Sequence, residues 1–141
     1  MKLQKKIYKT IIAMILAINI GILPVMAADN AATAIVEPRL NNIATASLSI
    51  GFDANYVAYL DIGLSPYSHC TGFDGMMRLL DADGNLLKSW AISDFESPYD
   101  AEKTWQCEYG KTYTVTFQGY AYGNGTMYDE INLSVTDKCE G

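Results

Sequence analysis

From Ser47 onward the sequence alternates apolar and polar residues with a period of two, which commits it to strands. Leu48, Ile50 and Phe52 interleave with Ser47, Ser49 and Gly51. Successive side chains of an extended chain point to opposite faces, so this spacing gives one apolar and one polar face. Ala58, Leu60, Ile62 and Leu64 repeat the pattern, with Tyr59 and Asp61 on the other side. Gly75, Met77 and Leu79 mark a third strand, and Leu86 to Ser93 a fourth, with Trp90 and Ile92 on one face. A weaker stretch, Thr104 to Tyr109, supplies the fifth. Tyr113, Val115 and Phe117 mark the sixth, and Ile131, Leu133 and Val135 the last. Turn residues separate these segments by roughly 10 residues, the spacing of a β-sandwich. The expected fold class is all-β: one antiparallel sandwich of about seven strands over residues 46–141. Residues 28–45, small and polar at first and without periodicity, are expected to form an N-terminal leader.

The first 27 residues have a different character. Lys2, Lys5, Lys6 and Lys9 form a basic segment with no acid to balance it. Ile11 to Leu23 follows as an apolar run, then Pro24 and Val25-Met26-Ala27. That is the layout of a secretory signal peptide, cleaved after Ala27 or alternatively after Ala28. The run is short of the ~20 residues that span a bilayer. The expected location is therefore secreted and extracellular. The 114 residues after Ala27 hold all 16 acids but six basic residues, a balance of −10. Such a charge repels phosphate backbones, so nucleic acid is not an expected partner.

Two short stretches carry resemblances. Tyr109-Gly110-Lys111-Thr112-Tyr113-Thr114-Val115 resembles the tyrosine-corner region of fibronectin type III and related immunoglobulin-like sandwiches. The resemblance implies that the Tyr113 hydroxyl bonds back to nearby backbone. Glu37-Pro38-Arg39-Leu40-Asn41-Asn42-Ile43 with Ser47-Leu48-Ser49-Ile50 resembles a group of small secreted proteins of clostridia-type Gram-positive bacteria. Lys88-Ser89-Trp90 and Gly110-Lys111-Thr112-Tyr113 extend that likeness over residues 37 to about 136. It implies an exported immunoglobulin-like or fibronectin-III-like sandwich and brings no activity with it.

Gly123-Asn124-Gly125 lies between the last two strands. A two-residue turn there would set Phe117 opposite Asn132 and turn Ile131, Leu133 and Val135 to the wrong face. A three-residue loop instead pairs Phe117 with Ile131 and Val115 with Leu133, with Gly125 in the left-handed position. In that register Tyr120, Tyr122 and Tyr128 share the outward face, Tyr120 opposite Tyr128. Exposed tyrosines can stack on sugar rings or anchor a protein contact. They are the candidate ligand-binding residues.

Three cysteines meet an oxidising surface after export. Counting strand directions puts Cys107 and Cys139 near one end and Cys70 near the other, so the expected disulfide is Cys107–Cys139 with Cys70 unpaired. Asp81, Asp83 and Asn85 alternate in the manner of a calcium loop, but Leu86 and Ile92 stand where an EF-hand needs Gly and an acid. The stretch reads as a turn, and no cofactor or metal is expected. Asp94, Glu96, Asp100 and Glu102 read as a solvated acidic loop. His69 and Cys70 are sequence neighbours that point apart in an extended chain, which disfavours a dyad. No catalytic residue is nominated. The expected function is a secreted, non-enzymatic module that meets protein or glycan at the cell surface through the tyrosine face. The alternatives are a self-associating envelope protein, joined through the tyrosines or Cys70, and a small secreted hydrolase with convergent acids.

Overall fold

The computed structural model describes residues 31–36, 40–93, 99–125 and 128–140. The expected signal peptide, residues 1–27, lies outside the described residues, as do Glu37, Pro38, Arg39, Asp94 and Glu96. Eight strands follow in order: β1 (Ala32–Val36), β2 (Ile43–Phe52), β3 (Val57–Pro66), β4 (Gly72–Leu80), β5 (Leu86–Ser93), β6 (Tyr99–Gln106), β7 (Thr112–Tyr122) and β8 (Tyr128–Lys138). They form two antiparallel four-stranded sheets, β1-β2-β3-β6 and β5-β4-β7-β8. Counted from β2, the seven strands take the order of an immunoglobulin-like sandwich: β2, β3 and β6 stand in the places of A, B and E. β4, β7 and β8 stand in those of C, F and G, with β5 beside β4.

The alternation does the work it promised. Leu48 and Ile50 from β2, Leu60 and Ile62 from β3, Met77 and Leu79 from β4, Val115 and Phe117 from β7, and Leu133 from β8 fill one buried core. Phe52 packs its ring on Tyr113, with centroids 6.2 Å apart. Tyr113 Oη accepts the Glu108 backbone N–H at 2.9 Å, which makes the tyrosine corner.

Two boundaries differ from the sequence reading. The leader does not stay outside the fold: Ala32–Val36 pair with β2 from Ala32↔Ile50 to Val36↔Ala46, adding an eighth strand at a sheet edge. Backbone hydrogen bonds hold an edge strand of small residues, so apolar periodicity does not betray it. Ala32 and Ala34 pack on the core without needing bulk. The fifth expected strand begins earlier, as β6, so Asp100 and Glu102 belong to a strand rather than a loop. Ala101 and Trp105 pack against the core, while Lys103 stands in the same row. An inward-row lysine on an edge strand disrupts the apolar pattern and blunts edge-to-edge pairing.

The last hairpin is also corrected. Phe117 pairs with Leu133 and Val115 with Val135, and Tyr122 rather than Tyr120 stands opposite Tyr128. The connection therefore runs from Gly123 to Met127, five residues rather than three. Gly125 does adopt a left-handed φ of 90°. The two-residue shift keeps the apolar face inward, so face burial alone cannot choose between the registers. A polar contact does choose. Ala121 and Asp129 stand opposite each other, and both hold Asn42. The Asp129 carboxylate accepts the backbone N–H groups of Asn41 (2.9 Å) and Asn42 (2.6 Å), and Ala121 O accepts from Asn42 Nδ2 at 3.2 Å. Asn42 is 1% and Asp129 4% exposed. Asn42 O in turn accepts from Tyr67 N at 2.9 Å. At Gly123 any Cβ would overlap the Asn42 side chain. This clamp joins the start of β2 to the tip of the β7–β8 hairpin, one sheet to the other.

Removing a buried acceptor strands its donors, so Asp129→Ala is expected to lower the unfolding free energy by about 2–4 kcal/mol, measured by urea titration. Asp129→Asn, which keeps one carbonyl oxygen, is expected to fall between that variant and the parent.

Candidate binding face

Outward positions of β7 and β8 put Tyr120, Tyr122 and Tyr128 together at the clamp end of the sandwich, 37%, 39% and 60% exposed. Tyr120 and Tyr128 meet edge to face with centroids 5.5 Å apart, a diagonal contact across the hairpin. Tyr122 Oη donates to Asp74 Oδ1 at 3.1 Å. Desolvation, and then Asp74, hold the Tyr122 phenol above its ordinary range. By register Tyr120 is flanked by Asp74 on β4 and Glu130 on β8. Asn132 Nδ2 donates to Glu130 Oε1 at 2.9 Å, and Gln118 stands opposite Asn132. The face thus sets a patch of braced rings beside carboxylates and amides. Both tryptophans, Trp90 and Trp105, pack against the core instead.

Other candidates resolve differently. Asp81 Oδ1 accepts from Asp83 N (2.9 Å) and Asn85 N (2.8 Å), and Asp81 Oδ2 accepts from Asn85 Nδ2 (3.0 Å). The side chain of Asn85 and these backbone donors lower the Asp81 carboxyl below its usual range. Both oxygens that a cation would take are thus used by the turn. Asp53 builds a similar turn between β2 and β3, accepting from Asn55 N and Val57 N. His69 Nε2 lies 2.6 Å from Asn41 O and its ring stacks on Tyr67, whereas Cys70 Sγ donates to Gly72 O at 3.7 Å. The two side chains serve different partners. Cys70 is 6% exposed, so it is not the reachable loop thiol that cross-linking would need.

Cys107 and Cys139 are both buried and neither is bridged. They lie at the same end of the sandwich, just after β6 and β8, and each thiol perturbs the other's ionisation. The expected disulfide is not formed here; both cysteines stand as buried free thiols.

Sequence reading did not find the clamp, because nothing in a single Asp or Asn marks a long-range partner. It also missed a cleft of about 320 Å³ at the open edge between β5 and β6, bordered by Asp83, Leu87, Trp105, Glu108 and Lys111. Its walls come from the β4–β5 and β6–β7 turns and from the ends of β5, β6 and β7. Glu108 and Lys111 there form an exposed ion pair at 3.9 Å.

The outer face of the other sheet is acidic. Asp61 on β3 stands opposite Glu102 on β6, with Asp100 diagonal to it. Burial first, then sharing a proton with Asp100 and repulsion from Asp100 and Glu102, pushes the Asp61 carboxyl up to about 7. Its Oδ1 is buried without a hydrogen-bond partner.

No family model matches the sequence, and no curated protein matches it. Among solved structures it is similar to a β-glucuronidase of Parabacteroides merdae, with 13% identity and a TM-score of 0.45. The likeness covers 74% of this chain and 14% of that one.

Asp61 generates a pH dependence with a definite sign. Its folded pKa is raised, so between about pH 4 and 7 the folded chain keeps a proton that the unfolded chain has released. Stability therefore falls as pH rises through that window. Asp61→Asn is expected to flatten the slope and to gain about 1 kcal/mol at pH 7.5, after allowance for screening of a half-buried group. Urea titrations at pH 4.5 and 7.5 check both.

Proposed function

We propose that this chain is an exported, non-enzymatic binding module that meets a glycan or protein at the cell surface through Tyr120, Tyr122 and Tyr128. The single observation behind this reading is the braced, exposed aromatic patch on the outer face of the β7–β8 hairpin. Rings already held by the Asp74 contact and by each other lose little freedom on binding, so their burial is retained as affinity. Of the two ligand classes the glycan is favoured. Tyrosine faces stack on the C–H faces of sugar rings, and the neighbouring Asp74, Glu130, Gln118 and Asn132 supply acceptors and donors for hydroxyl groups. The layout of residues 1–27 supports export.

An array of bacterial and host glycans, probed with the purified chain, is expected to give hits. The Tyr120→Ser/Tyr122→Ser/Tyr128→Ser variant should bind them at least tenfold more weakly while its melting temperature stays within a few degrees of the parent. Retention of full affinity in a folded triple variant removes the site. A blank array combined with concentration-dependent dimerisation, lost in the same variant, would favour the self-associating envelope protein instead.

A further inference from the structure

We propose that Cys107 and Cys139 are the two halves of a structural disulfide that fastens one sheet to the other, with Cys70 left as the unbridged thiol. Cys107 directly follows β6 and Cys139 directly follows β8, so the pair belongs to different sheets. Both positions are fixed by backbone bonds. Cys107 N donates to Tyr56 O at 2.8 Å. Cys139 is gripped from both sides by the turn after Cys107: Gly110 N donates to Cys139 O (2.7 Å) and Cys139 N donates to Lys111 O (2.8 Å). The two buried thiols that this framework brings to one end of the sandwich lie near enough to perturb each other's ionisation. The Tyr113 ring of the corner packs beside them on Phe52.

Cys70 has no place in such a bridge. It lies just before Gly72, at the start of the nine-residue β4, while Cys107 and Cys139 lie beyond the other end of the strands. At ~3.3 Å per residue that strand spans roughly 30 Å, far beyond the ~7 Å Cα separation that a disulfide permits.

Forming the bridge takes two electrons and two protons from the thiols. The acceptor is the disulfide of a small-molecule or enzymatic thiol oxidant. One cysteine thiolate attacks that disulfide and expels a thiol. The second cysteine then attacks the mixed disulfide, so that the Sγ–Sγ bond forms as the second thiol of the oxidant leaves. Burial raises both thiols in the folded chain, Cys107 to about 11, which keeps thiolate scarce at neutral pH. Exchange is therefore fastest before the sheets close, and the closed protein shields the bond from reductants.

The test is to refold the full chain from denaturant in a glutathione redox buffer, alkylate it, and map the peptides by mass spectrometry. The expected result is a linked Cys107–Cys139 peptide pair and one alkyl group, on Cys70. Reduction in denaturant followed by refolding in reductant should lower the melting temperature by on the order of 10 °C. Cys70→Ser should keep both the linked pair and that sensitivity, and Cys107→Ser/Cys139→Ser should melt at the same temperature with or without reductant. Three alkylated cysteines, a bridge to Cys70, or a parental melting temperature unmoved by refolding in reductant would overturn the proposal; the Cys70→Ser chain carries the test if the double variant does not fold.

Discussion

The carboxylate of Asp129 is the contact on which the rest of the arrangement depends. A buried charge is tolerated only where hydrogen bonds replace its water, and here two consecutive backbone N–H groups do so. Because those donors sit at the start of β2 and the acceptor at the start of β8, the bond locks the two sheets together at one end. It also settles which of two face-equivalent registers the β7–β8 hairpin adopts. The positions of Tyr120, Tyr122 and Tyr128 follow from that choice, so a polar contact inside the protein dictates the pattern of rings outside it.

The two outer faces are unlike in chemistry. One carries Ser47, Ser49, Gly51 and Gly63 beside Asp61, Asp100 and Glu102, a surface of small side chains and mutually repelling acids. The other carries tyrosines and amides with isolated carboxylates. A half-buried acid that keeps its proton near neutrality limits the repulsion on the first face, which otherwise would oppose the close pairing of β3 and β6.

How much of this was legible in the sequence depends on the kind of force involved. Burial writes itself into a period of two, so Leu48, Leu60, Val115 and Leu133 announced both the sheets and their inward faces. The tyrosine corner was legible because it spans a few residues, from Glu108 to Tyr113. Cys107 and Cys139 could be brought together by counting strand directions alone. What escaped was held by backbone or by distant polar partners. β1 has no apolar rhythm to display, and β6 hides its own behind Lys103. Asp129 gave no sign of Asn42, a partner 87 residues away. The hairpin register failed for the same reason, since both candidate registers bury the same side chains.

Antiparallel pairing of β1 with β2 places Ala32 beside Ile50, at the corner end of the sandwich. Lys138, opposite Thr112, emerges at that end too. The tyrosine patch lies at the other. Anything attached upstream of Ala32 or downstream of Lys138 therefore hangs from the corner end of the sandwich, a strand's length from the aromatic rings. Displayed from a surface by either terminus, the domain would hold its tyrosine patch at the end farther from whatever anchors it.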